Sequence, residues 1–472
     1  MPASDRSLRV LEGARSAPLW WDDVPDRPAR APLDGGLQGG ADADVVVVGA
    51  GFTGLWTAYY LSEADPSLRI VVLEAHHVGF GASGRNGGWC HVEVPLGVGT
   101  LARERGDAEA VRFVRALQDS VAEVGEVAQR EQIDCHFAHA GRLRIARSPL
   151  QLRRARSDVG EQHRIGLDDS DVRLLTGDEM SQRVAAEGVL GGSWSPHAAA
   201  LQPALLAHGL ATACERRGVT VHEATRVVEI VPGVARTERG SVRAPVIVQA
   251  TEGYSSELAG QRRTVLPLHS LMIATEPLAA ETLSAVGLHD RALLGDYAHA
   301  FLYAQRTGDD RIALGGRGAL YAWGSRTSDL PYGSDTLYQE LVRSLHELFP
   351  AVRTAAVTHR WGGVLGVARD WWPAVRFDAA SGLGFAGGYV GGGVAASNLA
   401  GRALAERVTG RSGDAPHWWI DHRSRRWEPE PLRWLGVATG LWLARSADHG
   451  EALTGRPSWR AAAGDRLRGK RR

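Results

Sequence analysis

Lysine is almost missing from this chain: of its 54 lysine and arginine residues, only Lys470 is a lysine. The body of the protein therefore has no lysine to serve as a base or as a cation that helps oxygen react. Cysteine is nearly as scarce. Cys90, Cys135 and Cys214 are too few, and odd in number, for a disulfide framework. Together with a Met1–Val10 segment that does not read as a signal peptide, they imply a reducing, cytoplasmic location. No apolar run is long enough to span a bilayer. The nearest approach, Leu432–Ala444, is short, carries Arg433 and reads as a helix packed on the body. Net charge is zero, which removes any global electrostatic case for nucleic acid or an anionic membrane. Only Arg466–Arg472 is clearly basic, and it reads as a disordered, solvated end.

With 472 residues, 44% of them hydrophobic, the chain is long enough for two or three domains around a large core. Residues 1–42 are rich in Pro, Gly, Asp and Ala and read as an extended arm, which Trp20 and Trp21 pin to the body. The β-branched run Val45–Val48 suits a strand buried on both faces of a parallel sheet. A helix over Leu55–Ala64 and a strand over Arg69–Leu73 follow. Further along, helices are expected over Leu101–Arg130, Gln151–Val184, Pro203–Arg217, Leu337–Phe349 and Val394–Val408. Buried strands are expected at Val246–Ala250 and Leu383–Ala386. Leu266–Thr275, Phe301–Gln305, Arg311–Leu314 and Thr358–Val364 read as strands too, the first three alternating as in an antiparallel sheet. The parallel-type strands lie near the start, middle and end of the chain, with the antiparallel ones between. That spacing predicts a mixed α/β (α+β) architecture: a Rossmann-like nucleotide-binding domain interleaved with an antiparallel-sheet substrate domain.

The most informative segment is Gly49-Ala50-Gly51-Phe52-Thr53-Gly54 between strand and helix, with Glu74 twenty residues after Gly54 at the end of the next strand. Gly49 permits the tight turn, Gly51 lets backbone approach a pyrophosphate, and Gly54 lets helix and strand pack closely. The helix N-terminus offers unpaired N–H groups to phosphates. Glu74 can accept from ribose hydroxyls and disfavours a 2′-phosphate. The glycine-dense loop Gly79–Gly88 follows soon after and can wrap a second part of a long cofactor.

Val45–Gly54, Glu74-Ala75, Ser83–Gly88 and Gly387–Val394 together resemble the D-amino-acid-oxidase-type flavoprotein superfamily, in particular its gamma-glutamylputrescine-oxidase-like FAD-dependent amine oxidoreductases. The resemblance runs from about Trp20 to about Gly410, and its most specific string is Ala82–Gly88. It implies FAD, held non-covalently, with Phe52, Thr53, Ala75, Ser83, Gly84, Arg85, Asn86, Gly87, Gly88, Val227, Val228, Ala250, Thr251 and Gly363 as contacts beside Gly49, Gly51, Gly54 and Glu74. It also implies that the helix after Gly391-Gly392-Gly393-Val394 points its N-terminus at the flavin, where reduction places negative charge. The sequence departs from the family pattern at Gly392, where a histidine is usual, and at Val375-Arg376-Phe377.

On this basis residues 43–100, 195–262 and 356–412 are assigned to the FAD-binding domain, 101–194 and 263–355 to the substrate domain, and 413–472 to a helical extension with a basic tail. Flavin amine oxidation asks little of the protein beyond a neutral nitrogen, an oriented C–H and a dry pocket. Accordingly no catalytic triad or GxSxG elbow is found. His76, His77, His136 and His139 lack a third ligand at zinc spacing. Trp89 and His91 follow the flavin loop, Tyr303 lies on a central antiparallel strand, Arg317 can grip a carboxylate, and Trp361 ends a strand returning to the flavin. These five are the substrate-side candidates. The expected partner is a small amine or amino acid, with no nucleic acid and no membrane. Three readings stay open: an amine or amino-acid oxidase, a dehydrogenase or N-demethylase using an acceptor other than oxygen, and a flavin-binding protein with degraded catalysis.

Overall fold

The computed structural model describes residues 10–24, 28–34, 41–328, 332–411, 413, 416 and 418–469. Its centre is a six-stranded sheet in the order Ala374–Asp378, Leu383–Gly387, Val246–Gln249, Val45–Val48, Ile70–Leu73, Thr220–His222. All neighbours run parallel except the edge strand Ala374–Asp378. Val45–Val48 is buried throughout, as a strand covered on both faces requires. Helix Phe52–Ala64 packs between helices Gly393–Val408 and Pro203–Arg216, so all of its first eleven residues are buried rather than one stripe.

The second large sheet has eight strands in the order Val357–Val367, Leu266–Thr275, Ile312–Leu320, Leu302–Arg306, Leu293–Asp296, Arg142–Ala146, Gly191–Ser195, Arg173–Thr176. It is antiparallel apart from the pairing of Leu293–Asp296 with Arg142–Ala146. One face packs on helix Gln339–Leu348. The other carries Met272, Ala313, Tyr303 and Trp361 against Trp20 of the arm. Smaller sheets are formed by Ala41–Asp42 with three strands between Val227 and Arg243, and by Trp89–His91 with Ala198–Ala200.

Several expectations are corrected. The stretch Gln151–Val184 is not one helix: Pro149–Arg164 is helical, Arg173–Thr176 is an edge strand and Gly177–Ser181 is a short helix with a capping box on Thr176. The stretch Leu101–Arg130 is two helices, Val98–Arg105 and Asp107–Arg130, broken at Gly106, whose φ of +93° ends the first. Segment 356–412 is divided, because its first strand pairs along its whole length with Leu266–Thr275 in the antiparallel sheet. Arg466 and Leu467 end a helix, Trp459–Leu467, so the basic tail is ordered through Gly469; Lys470, Arg471 and Arg472 lie outside the described residues. Leu432–Ala444 extends to a helix over Leu432–Thr454. The Arg- and Trp-rich stretch before it docks on the body: Trp427 is buried and its indole N–H donates to Val367 O at 2.8 Å. No helix among the described residues is long and apolar enough to cross a membrane.

Candidate functional site

Three parallel strands deliver their carboxyl ends to one elongated cleft, where ligands of open α/β sheets bind. After Val45–Val48 comes the glycine turn. A Cβ on Gly54 would lie 1.9 Å from Gly49 O, and one on Gly49 2.7 Å from Ala250 O, so helix, turn and neighbouring strand close up only with glycine at both positions. After Ile70–Leu73 comes Glu74, whose Oε2 accepts from the Ala50 N–H at 2.8 Å and whose Oε1 accepts from the His76 N–H at 2.9 Å. Those amides favour the carboxylate, but burial outweighs them and pushes the carboxyl above its ordinary range. After Val246–Gln249 come Ala250, Thr251 and Glu252.

The loop Ala82–Gly88 forms the facing wall. Ser83 Oγ accepts from the Phe52 N–H at 2.8 Å, serving the helix start that Gly51 cannot cap. Asn86 folds the loop on itself, donating to Ala82 O and Ser83 O and accepting from the Gly88 N–H at 2.7 Å. Arg85 donates to Phe80 O and Gly362 O and lies over the Trp21 and Phe80 rings. Burial lowers its pKa.

The cleft is closed by the start of helix Gly393–Val408. Its N-cap, Gly392, makes no side-chain cap, so the first-turn amides of Gly393, Val394 and their neighbours stand free for a ligand. Tyr389 Oη and Thr53 Oγ1 are 3.0 Å apart and tie this helix start to the first one. The side chain that position 392 lacks would meet Glu93 Cβ at 2.6 Å, so Glu93 occupies the space that the family's usual histidine would need.

Of the residues expected to hold the cofactor, Gly49, Gly51, Phe52, Thr53, Glu74, Ala75, Ser83, Asn86, Val227, Val228, Ala250, Thr251, Gly391, Gly393 and Val394 line this cleft together. Arg85 and Gly363 line a neighbouring cavity instead. Gly54, Gly84, Gly87, Gly88 and Gly392 line neither; they mark tight packing, Gly87 against the Tyr303 ring and Gly84 against Gly79 O.

The substrate-side candidates divide differently. Tyr303 and Trp89 meet edge to face, 5.9 Å apart, beside Gly87. Tyr303 Oη shares a hydrogen bond with Ser270 Oγ at 2.9 Å, and burial keeps the phenol protonated. Trp361 is fully buried and donates its indole N–H to Arg85 O at 2.9 Å, so it positions the loop and does not face the cleft. His91 is also buried, with Nδ1 2.9 Å from Arg142 Nη1, and burial and that cation hold it neutral. Arg317 points elsewhere. Its guanidinium is committed to Asp296 at 3.0 Å, Ser344 Oγ and Ala300 O, which leaves it no part in gripping a carboxylate in the cleft.

Sequence reasoning missed Glu252, Tyr254, Tyr389 and Ser397, which also line the cleft. Glu252 has φ of +44°, accepts from the Tyr389 N–H at 3.1 Å, and has one buried oxygen without a partner. Burial pushes its carboxyl up to about 7. It directly follows a parallel strand end, and that position was the available signal.

An acid at the second strand end, a glycine cradle and two helix starts with glycine N-caps sharing one cleft fit a dinucleotide with a ring system at its far end, as FAD has. Comparison with known proteins agrees. Gamma-glutamylputrescine oxidoreductase of Escherichia coli (strain K12) is 30% identical over 393 residues, 80% of this chain and 86% of that protein. Sarcosine oxidase subunit beta of Rhodobacter capsulatus is 26% identical over 389 residues, 77% and 84% of the two chains. In fold, glycine oxidase from Geobacillus kaustophilus matches with a TM-score of 0.66 at 20% identity, over 81% of this chain and 99% of that one. The profile of the family described as FAD dependent oxidoreductase matches residues 44–407, the span that holds both sheets and every wall of the cleft, and the chain belongs to that family.

Proposed function

We propose that the chain oxidises a carbon–nitrogen bond of a small amine or amino acid to the imine, which then hydrolyses in water. The observation that carries this reading is that Tyr303 of the antiparallel sheet and Trp89 of the small strand after the loop meet directly behind Gly87 of the cofactor loop. The relatives' named substrates, a glutamylated putrescine and sarcosine, support the class. FAD, when bound, supplies the acceptor for the two electrons and the hydrogen that leave the carbon beside nitrogen. Glu74 and the Gly49–Gly54 turn would hold its nucleotide half. The free amides at Gly393 and Val394 would serve its other end and favour negative charge there. Tyr303, protonated and fixed by Ser270, orients the substrate, and Trp89 excludes water from the reacting carbon. No side chain need remove a proton from carbon.

The sequence observation behind a second reading, a dehydrogenase handing electrons to an acceptor other than oxygen, is the absence of any lysine before residue 470. The three cysteines, all free and buried, support a cytoplasmic location. The test is anaerobic mixing of the yellow protein with a panel of amines and amino acids. Bleaching of the flavin band near about 450 nm by one of them supports the reading, and the rate of recolouring in air separates oxidase from dehydrogenase. A yellow protein that no amine bleaches would refute it.

A further inference from the structure

The chain continues beyond the family match at residue 407 into an element the cleft does not use. Helix Leu432–Thr454 runs back over the antiparallel sheet and is followed by helix Trp459–Leu467. The pair is fixed to the body by polar contacts. Glu451 accepts from Arg154 at 2.7 Å and pairs with His299 at 2.9 Å, Asp448 accepts from the His299 and Ala300 amides, and buried Arg433 pairs with Glu430. Leu443 and Ala447 are buried against the body, but the larger apolar side chains Leu432, Trp434, Leu435, Trp442 and Leu453 are exposed.

Leu435, Trp442 and Leu453 are spaced by seven and eleven residues, two and three helical turns, and so form one line along the outer face. All three are exposed, Leu453 by 74%, and Leu432, Trp434, Trp459 (70%) and Leu467 are exposed beside them. Trp434 meets exposed Trp323 of the antiparallel-sheet region at 6.2 Å, which widens the patch. A run of large apolar side chains this size on one face is not ordinary surface.

The charge around it says what covers it. Residues 432–472 hold nine Arg and Lys against three Asp and Glu, a net charge of +6 in a chain whose total is zero. Helix Leu432–Thr454 is itself balanced, Arg433 and Arg445 against Asp448 and Glu451; the surplus follows it, in Arg456, Arg460, Arg466 and Arg468 around the helix that carries Trp459, and in Lys470, Arg471 and Arg472, which lie outside the described residues. Arg456 and Arg466 are exposed and make no ion pair among the described residues. Arg460 lies over the Trp442 and Trp459 rings, within 6 Å of each centroid. Exposed Trp and Leu flanked by arginine, on a helix too polar to span a bilayer, is the composition of an element that lies in the interface of an acidic membrane.

We propose that helices Leu432–Thr454 and Trp459–Leu467 dock the protein on an anionic lipid surface, with Leu435, Trp442, Leu453 and Trp459 entering the headgroup layer and the arginines pairing with lipid phosphates. This departs from the expectation that the chain has no membrane partner. It does not depend on which amine is oxidised.

The test is co-sedimentation of the FAD-loaded full chain with vesicles of phosphatidylcholine alone and of phosphatidylcholine mixed with phosphatidylglycerol. Binding is expected to the acidic vesicles only, with a blue shift in tryptophan emission and release as salt is raised. The double substitution Leu453→Glu and Trp459→Glu changes two exposed side chains and is expected to weaken vesicle binding by about tenfold or more. Flavin content and turnover in solution should stay unchanged, which keeps failure here distinct from failure of the catalytic reading. Wild-type protein that stays in the supernatant with acidic vesicles, or a double variant that binds them as well as wild type, would overturn the proposal. So would a dimer that the same substitutions dissolve, since that assigns the face to a second copy of the chain.

Discussion

The two large sheets grip the same loop, Ala82–Gly88, by different means. On the parallel side the turn that receives the loop, and the start of the loop itself, close backbone on backbone. Gly49, Gly54 and Gly84 each stand where a Cβ would fall under 3 Å from a carbonyl oxygen, and Ser83 is joined to the first helix turn. From the antiparallel side the grip is made by long side chains. Trp361 donates to Arg85 O, Gln305 to Gly87 O at 2.7 Å, and the ring of Tyr303 fills the space at Gly87. Backbone packing has no slack, because no rotamer can relieve a clash with a carbonyl. Side-chain packing can redistribute. Damage should therefore be all-or-none on the parallel side and graded on the antiparallel side.

The largest effect is expected at Gly54. Gly54→Val puts carbon on top of Gly49 O and should cost about 3 kcal/mol or more, so soluble yield and flavin absorbance per chain should both collapse. A yellow, soluble Gly54→Val protein would show that the turn has more freedom than its geometry allows.

The seam between the sheets should show up against pH. Glu252 lies there, with Oε2 packed against Gly366 of one sheet and near Gly387 of the other. Its carboxyl is raised from 4.5 to about 7 in the folded chain. Between those values the unfolded chain has lost the proton and the folded chain keeps it, so stability falls as pH rises through this window, by on the order of 3 kcal/mol in all. Urea midpoints measured across the window should decline for wild type and stay flatter for Glu252→Gln.

Glu74→Gln tests the parallel side more gently. It weakens two amide contacts and removes the carboxylate that faces the cleft, and should loosen FAD by about 2 kcal/mol, roughly thirtyfold in Kd, read by flavin titration of apoprotein. Trp361→Phe tests the antiparallel side. It keeps most of the ring and removes one hydrogen bond to Arg85 O, so it should cost about 1 kcal/mol in thermal stability and leave flavin bound. If Trp361→Phe emptied the site as thoroughly as Gly54→Val, the contrast between the two sheets would fail.

The same contrast explains what could be read from the sequence. The glycine turn, Glu74 and the four-valine strand are local demands of backbone geometry, so they are visible within thirty residues of one another, and they fixed the parallel sheet and most of the cleft. The eight-stranded sheet was visible only in its central strands. Gly191–Ser195 and Leu293–Asp296 are short, and Arg173–Thr176 is a half-exposed edge hidden behind a charged helix. The roles of Trp361 and Arg317 depend on partners far away in the chain: Arg85, 276 residues from Trp361, and the buried Asp296 beside Arg317. An arginine after a strand looks the same whether it meets a substrate carboxylate or a buried aspartate. Glu252 was legible in position but not in chemistry, because only burial raises a carboxyl this far.

The central claim is that the cleft between Gly49, Glu74, Ser83 and Gly393 is a non-covalent FAD site, and it is tested most directly by heating the purified protein and measuring what is released. The account predicts close to one FAD per chain in the supernatant, a colourless pellet, and apoprotein that takes FAD back up. A colourless protein that FAD does not reconstitute, or flavin that stays with the denatured chain, would contradict it.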